Sequence, residues 1–226
     1  MLELPAIDLT ASAAPQVYDR LRRAILRGAL VPGDRLSESE VAKLMGISRQ
    51  PAREAFIHLA SDGLAEVRPQ RGTYIRKISI SDVLSARLIR EAVEGDLIRM
   101  VAAKADPALL PRLDAEIQQQ RQALAQGDSD LFVRLDDRFH RMLAEAAGHE
   151  SVWNVLEGLK SQMNRLRHIT ARTFDIQKLI DQHVEMVEGL RAGDAAQAEQ
   201  AMRRHLNQLL DDLPEVTRSR PELFIP

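Results

Sequence analysis

The chain has no cysteine, so disulfides and thiolate metal sites are both excluded, and a reducing compartment suits it. Aromatic residues make up only 4% of it, which leaves Leu, Ala, Val and Ile to build whatever core it has. It lacks a basic start followed by an apolar segment, and it lacks any long uncharged apolar run. Both absences argue against secretion and against a membrane partner, so the expected location is the cytoplasm. What is present is 226 residues, 45% of them hydrophobic, enough for one or two ordinary domains. A net charge of -2 conceals a split. Residues 14–77 carry 12 basic and 7 acidic side chains, whereas residues 78–226 carry 19 and 24. A basic front and an acidic back suit a nucleic-acid-binding unit joined to one that avoids nucleic acid.

The most informative stretch runs from Pro32 to Ile75. Ser37 precedes Glu40 by three residues, the spacing of a capping box, and predicts a helix from Glu38 to Met45. Gly46 can take the left-handed conformation that ends it. Ser48 is placed to cap the next helix, with Pro51 in its first turn, and Ala52, Ala55, Phe56, Leu59 and Ala60 form its apolar stripe. Leu64–Val67 and Thr73–Arg76 read as strands around the basic tip Arg68-Pro69-Gln70-Arg71-Gly72. A helix with Pro15 near its start and Val17, Leu21, Ala24 and Ile25 on one face comes before. Helix, turn, helix and strand pair together read as a winged helix-turn-helix.

Only helices are expected after Ile80, over about 80–103, 107–126, 129–147, 150–171, 175–191 and 194–212. Ser81, Asp106, Asp128, Ser151, Asp175 and Asp194 lie at or near their starts as caps. The expected fold class is mainly α: an N-terminal winged helix-turn-helix and a C-terminal all-helical bundle. The expected domains are a flexible arm at 1–13, a DNA-binding domain at 14–77, and a helical effector-binding and dimerisation domain at 78–226.

In the reading helix, Arg49, Gln50 and Arg53 fall off the apolar stripe and can face a major groove. Arg can pair with guanine O6 and N7, and Gln with adenine N6 and N7. Arg71 can reach phosphate or the minor groove, and Gly72 lets backbone approach closely. The partner implied is double-stranded operator DNA.

In the helical half, Asp136 and His140 are four residues apart and share a helix face. His183 and His205 each stand beside apolar residues on later helices. Three helices could gather one Asp and three His around a divalent ion, or each His could be satisfied by a core hydrogen bond. His58 reads as structural.

The segments LSESEVAKLMGISRQPAREAFIHLASDGL and RPQRGTYI resemble the DNA-binding domain of the GntR superfamily of bacterial transcription regulators. In that family the positions of Arg49, Gln50, Arg53 and the wing contact an operator. Ser39 departs from it, because many members carry an arginine there. The motifs LIREAVEGDLIRMVAA, LDDRFHRMLAEAAGHESVW, HVEMVEGLRAGDAAQAEQAMRRHL and RPELF resemble the FCD domain of the FadR subfamily. The resemblance implies a divalent metal on Asp136, His140, His183 and His205, zinc above all, with nickel or manganese able to substitute. It also implies a small carboxylate effector, an organic acid or sugar acid, with Arg90 in its pocket. Asn164, Arg165 and Arg167 are further pocket candidates, although Arg90 can equally form an i, i+4 pair with Glu94. The function implied is a homodimeric, effector-responsive regulator, a repressor rather than an enzyme. Two other readings of the same ligands are a metal-ion sensor and a metal-dependent hydrolase with an appended DNA-binding domain. The second lacks an H-E-x-x-H motif.

Overall fold

A computed structural model describes residues 7–8, 10–104, 106–170 and 175–225. Most of the expected N-terminal arm lies outside the described residues. Helix α1 spans Ala13–Leu26 and buries Val17, Leu21, Ala24 and Ile25, the face its periodicity marks. Strand β1, Arg35–Leu36, precedes α2, Glu38–Met45. Ser37 caps α2 by accepting from the Glu40 N–H, and Gly46 ends it at φ 66°, where a side chain would be strained. Helix α3, Arg49–Ser61, packs its Ala52, Ala55, Phe56 and Leu59 against α1 and α2. Ser48 occupies the cap position but its side chain accepts no hydrogen bond, so the expected cap is positional only.

Strands β2, Ala65–Arg68, and β3, Gly72–Ile75, form the wing hairpin, with Arg68 opposite Gly72 and Ala65 opposite Ile75. The sheet has a third member that the sequence reading did not anticipate. β1 pairs antiparallel with β3, Arg35 opposite Tyr74, giving the order β1-β3-β2. Leu21, Leu59, Leu64 and Ile75, each essentially inaccessible, join the two layers. Burying such a side chain is worth about 1.5–3 kcal/mol.

A two-residue strand β4, Ile78–Ser79, leads into the helices α4, Ile80–Lys104; α5, Leu109–Ala125; α6, Ser129–Ala147; α7, Glu150–Leu159; α8, Ser161–Thr170; α9, Ile176–Ala192; and α10, Ala195–Ser219. Asp128, Asp175 and Asp194 cap their helices as expected, each accepting from a first-turn N–H. Ser81 and Ser151 fall inside helices instead. Ser79 supplies the oxygen at the start of α4, accepting from the Asp82 N–H at 3.1 Å.

Two further expectations are corrected. The single helix expected at 150–171 is two, α7 and α8, broken at Lys160. Lys160 is fully buried, with its ammonium 3.2 Å from Asp137 Oδ1 and 3.9 Å from the centre of the Trp153 ring. Nor is the second half purely helical. After α10 a short 3-10 turn, Pro221–Leu223, leads to strand β5, Phe224–Ile225, which pairs in parallel with β4.

The main core is shared by α4, α5, α6, α7, α9 and α10 around Ile98, Leu113, Phe132, Phe139, Met186 and Met202. A separate cluster of Ile78, Val83, Met163, Leu166, Leu213 and Phe224 joins α8 and the end of α10 to the β4–β5 pair. Helices α9 and α10 touch closely at Gly189, where a Cβ would come within 2.7 Å of the Ala198 backbone nitrogen. That close approach sets the spacing between the helices that carry His183 and His205.

Candidate functional site

Asp136 and His140 stand one turn apart on the buried face of α6. His183 on α9 and His205 on α10 meet them from the opposite side, and all four residues are buried. One ligating atom from each lies within 4.8 Å of the others. Asp136 Oδ1 is 3.5 Å from both His183 Nε2 and His205 Nε2. His140 Nε2 is 3.1 Å from His205 Nε2 and 4.0 Å from Asp136 Oδ2. Phe139 stacks on the His183 ring, with centroids 4.2 Å apart, and holds it in plane.

The outward nitrogens decide the chemistry. His183 Nδ1 is 2.8 Å from Gln120 Oε1, and the Gln120 amide group donates to the Leu135 carbonyl at 3.4 Å, which fixes the oxygen toward the ring. His205 Nδ1 is 3.2 Å from Gln182 Oε1. His140 Nδ1 is 2.6 Å from Glu94 Oε2, a contact of ion-pair distance although its alignment is poor for a hydrogen bond. Each Nδ1 therefore faces an acceptor, and for His183 and His205 a proton on Nδ1 leaves Nε2 as a lone pair pointing inward. Burial pushes His205 down to about 4 and His183 well below its ordinary value, so both rings are neutral at pH 7.

The carboxylate completes an electron-rich cage. Burial opposes ionisation of Asp136, but the Arg167 guanidinium outweighs it and holds the carboxyl far below the usual range. Arg167 bonds Asp136 Oδ2 and, at 2.9 Å, Asp137 Oδ1. Asp136 Oδ1 and His183 Nε2 face each other without a hydrogen-bond partner. Two lone-pair atoms at 3.5 Å in a dry interior repel unless a cation lies between them. The donor set of three imidazoles and one carboxylate oxygen suits a divalent ion, and this buried cluster could coordinate one.

A cavity of about 60 Å³ opens beside the cage, room for roughly two waters or one carboxylate head. Arg90, Arg167, Asp136 and His205 line it together with Asp175, Gln208 and Asp212, and Phe132, Met163, Leu179 and Leu209 are among its apolar walls. Arg90 lines this cavity and also pairs with Glu94, at 2.5 Å. Arg165 and Asn164 do not line it. Glu94, Gln120 and Gln182, which aim the histidines, were not singled out from sequence. Only Glu94 had a local signal, its i, i+4 spacing from Arg90.

At the other end of the molecule, Arg49, Gln50 and Arg53 are exposed on the first turns of α3, with Gln50 donating to Glu54 at 2.9 Å. Arg71 is exposed at the wing tip, next to Gln70 at φ 61° and Gly72 at φ 106°. Gly72 gives room to the Arg35 side chain, which a Cβ would meet at 3.2 Å. Ser39 points to the cap, 3.0 Å from Ser37 Oγ. His58 is exposed and meets Tyr18 edge-on at 6.1 Å.

No described helix is long and apolar enough to cross a membrane. Residues 13–75 match the bacterial regulatory proteins of the gntR family, and residues 86–208 match the FCD domain. The HTH-type transcriptional repressor RspR of Escherichia coli (strain K12) is 35% identical over 222 residues, spanning 96% of each chain. Among solved structures, E. coli McbR/YncC superposes with a TM-score of 0.76 at 21% identity, over 91% of this chain and 98% of that one. A GntR regulator from Rhodococcus sp. RHA1 gives 0.76 at 24% identity, over 91% and 99%. Both structures share the fold. The chain belongs to the GntR family of bacterial regulatory proteins, with an FCD domain, and is a DNA-binding transcriptional regulator rather than an enzyme.

Proposed function

We propose that this regulator is a FadR-subfamily repressor that binds double-stranded operator DNA as a homodimer and responds to a small organic acid or sugar acid bound beside a metal in the helical domain. The observation that carries the reading is the buried cluster of Asp136, His140, His183 and His205, with each outward Nδ1 facing an oxygen acceptor. Asp136, His140, His183 and His205 would hold the ion, zinc first and nickel or manganese as alternatives. When bound, it would supply a positive centre for a carboxylate oxygen in the cavity. Arg90 and Arg167 add positive charge to a lining that also holds Asp175 and Asp212, and the apolar residues would take the rest of a small acid. The name of the E. coli relative, a repressor, supports the same sign of control.

Residues 14–77 are the reading unit in this account. Arg49, Gln50 and Arg53 enter the major groove, while Arg71 and Gly72 put the wing on the backbone or minor groove. A single α3 spans only one short half-site, so two copies are needed, joined through residues 78–226. An effector that binds the two dimer states unequally by about 1–3 kcal/mol changes operator affinity about 5–150-fold.

The experiment is a thermal-shift screen of small carboxylic and sugar acids on full-length protein, followed by operator titration with each acid that raises the midpoint. The proposal expects at least one acid to do both, and expects sedimentation of the free protein as a dimer. A stabilising acid that leaves operator affinity unchanged would remove it from control. If no acid acts while added metal alone changes operator affinity, the ion itself is the signal.

A further inference from the structure

A second cavity, of about 460 Å³, lies where the α1–α3 unit meets the helical domain. Ile25, Gly28, Leu30 and Pro32 line it on one side; Gly127–Asp130, Arg165, Arg220 and Leu223 line it on the other. This volume falls in the range of small-molecule sites, about 300–1,000 Å³. It is polar, and a buried cation sits in its wall. Arg165 is 1% exposed, and among the described residues its Nε has no hydrogen-bond partner and its side chain makes one hydrogen bond, at 3.2 Å, to the neutral Gln162 Oε1. Among the described residues no carboxylate lies within ion-pair distance of it. A guanidinium taken out of water without a counter-charge is destabilising. Burial and the positive charge of Arg76 together push Arg165 down to about 10.

The acids nearby are already engaged. Asp128 caps α6 by accepting from the Leu131 N–H at 2.8 Å, and Asp130 pairs with Arg27 at 3.2 Å. Arg220, also in the lining, is exposed and among the described residues pairs with Glu222, at 2.8 Å. Asp128 and Asp130 are thus in the cavity wall but committed elsewhere, and Arg165 is the lining cation that meets no carboxylate among the described residues.

We infer that this cavity is a second ligand site, distinct from the metal-side pocket, and that it takes a small molecule bearing an oxyanion, a phosphate or carboxylate group, against Arg165. A planar guanidinium matches two oxygens of such a group. The site has a built-in connection to the reading head. Gln162 accepts from Arg165 through Oε1 and donates through Nε2 to the Gly63 carbonyl at 2.5 Å, directly after α3. A ligand that orders Arg165 thereby orders Gln162 and the end of the reading helix. Occupancy would hold the α1–α3 unit in one orientation on the bundle and so act as a second input to DNA binding.

The test uses full-length protein with inorganic phosphate and inorganic sulfate as probes, ionic strength held constant with sodium chloride. Wild type should show an unfolding midpoint that rises with the logarithm of either anion. Arg165→Gln should lose that rise, and His183→Ala, altered only in the metal cage, should keep it. Retention in His183→Ala separates this site from the metal reading, whichever way that reading falls. An equal rise in wild type and Arg165→Gln would mean an adventitious ion or general salting-out, and would overturn the inference. So would no rise in wild type. Should Arg165→Gln fail to fold, Arg220→Gln in the lining should reduce the anion response several-fold, and an unchanged response there would overturn the inference equally.

Discussion

Replacing Gln120 by Leu removes the acceptor that fixes the His183 tautomer while leaving every proposed metal ligand in place. In the native arrangement the Gln120 oxygen, 2.8 Å away, keeps the proton on Nδ1 and the lone pair of Nε2 facing Asp136 Oδ1 at 3.5 Å. Without it the ring gains by moving its proton to Nε2, where Asp136 Oδ1 becomes a hydrogen-bond acceptor. The ligand atom is then blocked by a proton that an ion must displace. Partners of this kind are worth about 10–100-fold in metal affinity, or about 1.4–2.7 kcal/mol. The metal-free protein should lose less than the usual cost of a buried unmade hydrogen bond, about 1–3 kcal/mol, because the tautomer change supplies a new one. Gln120→Glu, which restores an acceptor, should recover metal affinity. Competition titration against a chromophoric zinc chelator measures the first effect, and urea unfolding of metal-free protein the second. A Gln120→Leu protein that binds zinc as tightly as wild type would refute the reasoning, because the tautomer would then not matter.

Arg49→Ala should cost about 1–3 kcal/mol of operator affinity and flatten the preference among half-site variants, whereas Arg71→Ala should weaken all sites evenly and reduce the salt slope; titrations at two salt concentrations distinguish them. The metal-free protein should be sensitive to mild acid. His205 is held at about 4 when folded against about 6.5 unfolded, so its contribution is complete above pH 6.5 and drains as pH falls toward 4, by at most about 1.4 kcal/mol per pH unit. His205→Ala should reduce but not abolish the slope of the stability profile between pH 6.5 and 5, because burial depresses His183 as well and leaves it its own share; an unchanged slope there would assign it to other groups. Gly189→Ala should destabilise the bundle by about 1–3 kcal/mol, because its methyl would meet the Ala198 backbone at 2.7 Å; an unchanged unfolding midpoint would show that α9 and α10 can separate at no cost.

Local signals in the sequence led to the reading unit. The Ser37–Glu40 spacing, Gly46 and the apolar stripe of α3 are short-range features, and each fell into the expected element. The candidate cage was legible for a similar reason, since Asp136 and His140 share a turn and His183 and His205 stand on strongly periodic helices. The residues that aim the histidines were not legible. Gln182 is adjacent to His183 yet serves His205, because neighbours on a helix project about 100° apart. Gln120 comes from a different helix altogether. The break at Lys160 has only a weak local signal, Gly158, and its lysine is held across the bundle by Asp137. β1 and β5, at two residues each, are too short to show a period, and exist through their partners β3 and β4.

The central claim is that Asp136, His140, His183 and His205 hold one divalent ion. Elemental analysis of gently purified full-length protein, beside His183→Ala, tests it most directly. Wild type should carry about one zinc, nickel or manganese ion per chain and the variant far less, in keeping with the affinity of three imidazoles and a carboxylate for such ions. Wild-type protein that is free of metal and indifferent in its unfolding midpoint to added zinc, nickel or manganese would contradict it.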